Sequence, residues 1–308
     1  MVSARFEQLA DSVSNWGRWG DDDERGTLNL IEPGAEPWSE VDRGAVIPLA
    51  LPLDATGPRT LGNQRRVWPT LSLLAHDVRY LDDPDDSAWS EDVLTTGLQA
   101  GTHWDALAHV SWRGRIYNDF GVDTITADRG ATRCGIDKVG PLAGRAVLLD
   151  VARARGVAHL DNGEAITPAD LDATAGAAVV RPGDIVLVRT GAMGRWLAGP
   201  GAEKKAYVSG SPGFAIECAE WFFEHDVAAL ATDTQNPDAF PSPEDTGLLM
   251  PFGVLAIRQI GMLLGQNFVL EDLAQACAAR DRWSLVLAAS PLPISGGLGS
   301  PVQPVAIL

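Results

Sequence analysis

The sequence predicts an α/β protein built on a mixed β-sheet flanked by helices. Three observations carry this expectation. From about residue 145 onward, short apolar runs of strand character alternate with amphipathic segments. The first third is instead rich in strands and loops. The 308 residues, 45% hydrophobic and 21% charged, suffice for one large domain, and no repeat or linker divides them. We therefore expect a single domain over 1–308 with an N-terminal extension over about 1–45.

Taken in order, Phe6 to Val13 has the spacing of a short helix. Asn15-Trp16-Gly17-Arg18-Trp19-Gly20, an acidic run from Asp21 to Glu24 and Gly26 to Ile31 follow as a rigid loop region. Val46 to Leu53 carries Pro48 and Pro52, which suits an edge strand. Leu71 to Tyr80, with His76, reads as a strand, and Asp82 to Asp92 as an acidic surface loop. Val93 to His109 is a strand and turn, and Gly114 turns the chain between Trp112 and Phe120. Arg145 to Asp150, Ile185 to Val188, Val227 to Ala231 and Trp283 to Ala289 are buried-looking strands. Thr167-Pro168-Ala169-Asp170 opens a helix, with Thr at the cap and Pro in the first helical position. Pro212 to His225 and Leu270 to Ala279 have helical periodicity. Asn236 to Thr246 reads as a Pro- and Asp-rich loop, and Leu248 to Leu264 is apolar. Ser290 to Pro301 reads as a Gly- and Pro-rich loop before Val305 to Leu308.

Composition excludes several function classes. The net charge of −17 repels phosphate backbones and anionic lipid, so neither nucleic acid nor membrane is an expected partner. There is no apolar run of 18 residues and no apolar core in the first residues of the chain. Three scattered cysteines, Cys134, Cys218 and Cys277, argue against a disulfide framework and fit a reducing cytoplasm. A P-loop is absent, since no Lys follows the C-terminal glycines, and so is a GxSxG elbow.

The stretch Gln99-Ala-Gly-Thr-His-Trp-Asp-Ala-Leu-Ala-His109 carries the chemistry. It packs His103, Asp105 and His109 into seven residues. Imidazole and carboxylate are good ligands for a divalent ion. On an extended strand, positions 99, 103, 105 and 109 point to one face, so Gln99, His103, Asp105 and His109 could converge on one pocket.

This stretch resembles the signature of the metal-dependent cyclase/kynurenine formamidase-like hydrolases, usually written HxGTHxDxPxH. Asn15 to Ile31, the helix start at Thr167, Arg181 to Gly191 and the ending Ala289 to Leu308 resemble that family too. The likeness covers nearly the whole chain and is to the longer bacterial branch. It implies a swivelling β/β/α fold, a divalent metal, a homodimer or homotetramer, and hydrolysis of a cyclic or linear amide or ester. It implies His103 and Asp105 as metal ligands and His109 as the acid/base. The first motif His is Gln99 here, and the usual Pro is Leu107. Two further ligand positions of two-metal members correspond to Gly253 and Gln266. A neutral amide is a weak ligand and cannot offset a second dication. The expectation is therefore at most one weakly held ion, Mn or Zn, on His103 and Asp105, with the Gln99 carbonyl oxygen as third donor.

The expected reaction cleaves the C–N or C–O bond of a small cyclic or aryl amide or lactone. The ion would activate water, and His109 would carry the proton to the leaving group. Trp104, Trp112 and Trp16 are the expected walls for a flat small-molecule substrate, with Trp19 nearby in sequence. Asp233 is a candidate partner for a histidine, against a plainer role capping a turn. The competing readings are a non-hydrolytic cyclase or dehydratase of the same fold and a metal-free binding protein that has lost catalysis.

Overall fold

Nine strands form one sheet in the computed structural model, which describes residues 2–31, 41, 45–54, 57–58, 67–73, 90–175, 179–199 and 201–308. We number these strands β1 (Val46–Pro48), β2 (His103–Asp105), β3 (Ala143–Asp150), β4 (Ile185–Arg189), β5 (Ala229–Thr232), β6 (Leu263–Gln266), β7 (Ser284–Ala288), β8 (Gly299–Pro301) and β9 (Val305–Ile307). Their order across the sheet is β1-β9-β7-β3-β4-β5-β6-β2-β8. The four central strands, β3 to β6, are parallel, and the flanking pairs are antiparallel. The sheet is thus mixed, as expected. Pro48 and Pro301 lie in the two edge strands, where a missing N–H costs no ladder bond.

Side chains alternate across the sheet into two cores. Val147, Leu149, Val186, Val188, Leu230 and Leu264 enter one, packed against helices. Ala146, Leu148, Ile185, Leu187, Ala229, Ala231 and Leu263 enter the other. Burial on both faces explains why β4 and β5 read as unbroken apolar runs. Each large aliphatic group withdrawn from water here contributes about 1.5–3 kcal/mol.

The helices relevant to the site are α1 (Ala4–Ser12), α2 (Pro168–Ala175), α3 (Ala192–Ala198), α4 (Gly201–Ser209), α5 (Cys218–Glu224) and α6 (Glu271–Arg280). At α2, Asp170 Oδ2 accepts from the Thr167 backbone N–H at 2.8 Å and from its hydroxyl at 2.6 Å. Arg155 binds the same oxygen at 2.7 Å, and the Arg155 bond, the largest cause, holds the Asp170 carboxyl down at about 2.

Several expectations change. The helix expected over 212–225 is only α5, because Gly213 and Phe214 form a short strand with Ala165–Ile166. A Cβ on Gly213 would lie 2.2 Å from the Asp238 carbonyl carbon, so this segment is pressed flat against a loop. The C-terminal segment expected to be irregular contains β8. The chain from Glu91 to Thr96 is a strand paired with Val67–Leu73, so the acidic loop ends earlier than expected. His76 and residues 82–89 lie outside the described residues. Helices α3 and α4, separated by a Gly-Pro break, give no strong periodic signal in the sequence.

Residues Pro251–Gly253 begin a helix that continues as the π-helix Val254–Ile260. Its C-terminal carbonyls are closed by the N-terminal segment. Asn15 donates its backbone N–H to Gln259 O at 3.0 Å and its Nδ2 to Ile260 O at 2.9 Å. Trp16 Nε1 donates to Arg258 O at 2.7 Å. The Asn15–Trp16 motif is thus a cap for a helix some 240 residues away, satisfying acceptors that the helix cannot satisfy itself.

Candidate active site

The strand β2 is short because it is flanked by turns, yet it sits between β6 and β8 and its register is fixed on both sides. His103 pairs with Gln266 and Pro301, and Asp105 with Leu264 and Gly299. Opposed residues in such a ladder point to the same face. His103, Asp105, Gln266 and Leu264 therefore share one face, and Leu264 belongs to the core beneath α1 and the π-helix.

Trp104 points the other way. It is fully buried in the opposite core, edge-on to Phe268 at 5.2 Å, and its indole donates to Ala289 O at 2.8 Å. The expectation that it lines the substrate pocket is corrected here. The same alternation that brings His103 and Asp105 together sends Trp104 through the sheet.

Asp105 is 1% exposed and is gripped from one side only. Its Oδ2 accepts from Gln266 Nε2 at 2.7 Å. Its Oδ1 has no hydrogen-bond partner among the described residues and lies 3.6 Å from both His103 Nε2 and His109 Nε2. The Gln266 Oε1 is likewise buried without a hydrogen-bond partner there. His103 sets its Nδ1 2.9 Å from Gly101 O, a bond that places a proton on Nδ1 and leaves Nε2 facing the carboxylate.

His109 reaches the same oxygen by another route. The single strand expected over 99–109 is not formed: the chain turns after Asp105, and the His109 N–H closes that turn on Ala106 O at 2.9 Å. Its side chain is 25% exposed, against full burial of His103. So His103 lies at the floor of the site and His109 at its rim. Gln99 lies in the turn before β2, and a Cβ built on Gly299 would come 2.6 Å from its Nε2. Since Gly299 is opposite Asp105, the Gln99 amide covers the space on the face where Asp105 points.

Do these groups suit a metal ion? A buried carboxylate oxygen without a hydrogen-bond partner among the described residues lies 3.6 Å from a buried imidazole nitrogen, and these are donors that suit a single cation. No group of three or more His, Cys, Asp or Glu side chains among the described residues forms a metal-binding cluster. A second ion does not fit: Gln266 supplies no charge, and Gly253 is enclosed, with Asp238 Oδ2 3.2 Å from a Cβ built there.

The other tryptophans have occupations of their own. Trp16 and Trp112 flank the buried Arg258 guanidinium, with ring centroids 4.4 and 5.3 Å from its carbon. Arg113 covers Trp112 as well, at 4.3 Å. The site expectation for Trp16 and Trp112 thus meets rings already engaged by arginine. Burial draws the pKa of Arg258 down to about 10. Asp233 is no histidine partner: its carboxylate accepts from Thr190 N and Oγ1 at 2.8 and 2.7 Å and from Gly191 N at 2.7 Å, a turn cap before α3. The residue that the expected site lacked is Gln266 as the holder of Asp105. Its position was legible, but its bond to Asp105, across 161 residues, depends on the pairing of β2 with β6.

A family model described as "Putative cyclase" matches residues 47–239. The chain belongs to the cyclase family. The chain is similar to a crystal structure described as a novel cyclase, with 31% identity and a TM-score of 0.87 over 97% of this chain and 99% of that one. Isatin hydrolase A from Ralstonia solanacearum shares its fold, with 24% identity and a TM-score of 0.62 over 86% of this chain and 92% of that one. So does a protein described as a potential metal-dependent hydrolase with cyclase activity, at 14% identity and a TM-score of 0.53, over 85% and 98% of the two chains. No curated protein matches the sequence. No described helix of the chain is long and apolar enough to cross a membrane.

Proposed function

We propose that this protein is a hydrolase that opens the C–N or C–O bond of a small cyclic or aryl amide or lactone, using one divalent ion. The observation that carries the reading is the Oδ1 of Asp105, a buried carboxylate oxygen set 3.6 Å from the Nε2 of two imidazoles. The likeness in fold to an isatin hydrolase, named for a cyclic amide, supports the substrate class. His103 Nε2 and Asp105 Oδ1 would hold the ion, with Gln99 as a further oxygen donor. Mn or Zn suits this donor set. When bound, the ion supplies Lewis acidity toward a carbonyl oxygen and makes a neighbouring water more acidic.

The protein's own groups have distinct tasks. Gln266 holds Oδ2 of Asp105, so the carboxylate presents one oxygen in one orientation. His109 Nε2, at the partly exposed rim, takes the proton from the attacking water and returns it to the leaving nitrogen or oxygen. We further infer that the protein works as a homodimer or a dimer of dimers.

The test is metal analysis of chelator-free protein together with turnover of isatin and aryl lactones. We expect no more than one Mn or Zn per chain and hydrolysis that chelation abolishes. Two tightly held ions per chain, or hydrolysis indifferent to chelation, would overturn the reading.

A further inference from the structure

Asn267, directly after β6, has a backbone φ of +57° and is 3% exposed. Glycine takes this left-handed conformation freely, whereas asparagine pays a cost for it, the smallest among side-chain-bearing residues together with aspartate. The side chain therefore has to be worth keeping, and its bonds show why. Asn267 Nδ2 donates to Gly101 O at 2.9 Å, and its Oδ1 accepts from the Tyr207 hydroxyl at 2.7 Å. Its backbone N–H donates to Thr234 O at 2.8 Å, and its carbonyl accepts from Thr102 Oγ1 at 2.6 Å. Every polar group of the residue is used. Burial and the nearby Asp233 carboxylate push the Tyr207 phenol well above its ordinary range, so it remains a donor.

The Gly101 carbonyl is the point where this network meets the active site. It accepts from Asn267 and, at 2.9 Å, faces Nδ1 of His103. Gly101 itself has a φ of +62°, so nothing in its own side chain fixes the peptide plane. We propose that Asn267, backed by Tyr207, is a positioning residue for His103. By holding the Gly101 carbonyl, it keeps a proton on His103 Nδ1 and directs Nε2 toward Asp105 Oδ1. The inference rests on the proposed hydrolase reading only for the consequence in ion affinity. The tautomer itself is a property of the chain.

The experiment uses full-length protein with ¹⁵N-labelled histidine, the His103 signal being assigned by its loss in His103→Gln. Wild type should show a single Nδ1–H tautomer for His103 at pH 8. Asn267→Gly keeps the backbone conformation and removes the amide. It should give a mixture of tautomers and weaken Mn²⁺ binding by about 10- to 100-fold, the usual effect of losing a residue that orients a ligand. Tyr207→Phe should move both readouts the same way by less. A folded Asn267→Gly protein with an unchanged His103 spectrum overturns the proposal. If that variant does not fold, Tyr207→Phe decides, and an unchanged spectrum there overturns it equally. Wild type that binds no Mn²⁺ but loses its tautomer in Asn267→Gly would sink the ion reading and leave the positioning role established.

Discussion

At the scale of single residues, two histidines six apart in sequence have different surroundings, and their substitutions should separate. His103 is fully buried with Nδ1 against a carbonyl, whereas His109 is a quarter exposed. His109→Ala should leave metal content unchanged and lower turnover by roughly 10²- to 10⁴-fold, the worth of a positioned proton-transfer group. His103→Ala should lose both. Loss of metal in His109→Ala, measured by elemental analysis, would make His109 a ligand instead. The motif made His103 and Asp105 legible because both lie within one short segment. The same period-2 rule that placed them on one face spoke against Trp104 as a pocket wall, and the aromatic character of that residue was the weaker signal. The grip of Gln266 on Asp105 was hidden because it depends on which strand pairs with β2, information that no local pattern contains.

At the scale of elements, the helix over 251–260 is held at both ends by distant sequence. Asp238 closes its N-terminus, accepting from Phe252 N and, at 3.0 Å, from Gly253 N. Asn15 and Trp16 close its C-terminus. Asn15→Ala leaves the Ile260 carbonyl without this donor in a buried setting, at a cost of about 1–3 kcal/mol. Urea denaturation should show that loss as a lower midpoint with an unchanged slope. Asp238 makes a second prediction. Burial, the largest cause, raises its carboxyl from 3.8 to about 7, and Asp233 is raised to about 6 the same way. The folded protein then holds protons that the unfolded chain releases, so these groups make stability fall as pH rises from about 4 to about 7. Asp238→Asn should flatten that fall between pH 5 and 7, and melting curves with the wild-type pH slope would show that Asp238 does not contribute. The sequence made the start of α2 readable, where Thr167 and Asp170 are local partners. It did not reveal this helix, because both of its caps come from elsewhere in the chain.

At the scale of the whole molecule, self-association needs a surface that the chain does not itself cover. Asn15 and Trp16 of the N-terminal segment cap a helix, and the C-terminal Gly/Pro stretch contributes the edge strand β8 at its end. Among the described residues, one exposed apolar stretch is the strand Glu91–Thr96, which pairs with Val67–Leu73. Val93 and Leu94, on opposite faces of its second strand, are 53% and 51% exposed. A two-stranded hairpin has little stability alone and needs a third layer. The next residues of the chain lead through the turn at Gln99 into β2, so whatever covers the hairpin also borders the active-site motif. A second copy of the chain would cover Val93 or Leu94, against the repulsion between two chains of net charge −17. Two consequences follow in light scattering. At micromolar concentration the protein should have the mass of a dimer or tetramer, and Val93→Lys with Leu94→Lys should shift it toward monomer. Added salt screens the repulsion and leaves apolar burial intact, so association should strengthen with ionic strength. A monomer at micromolar concentration would refute the dimer. Dissociation on adding salt would mean that ion pairs hold the copies together and the hairpin is not their contact.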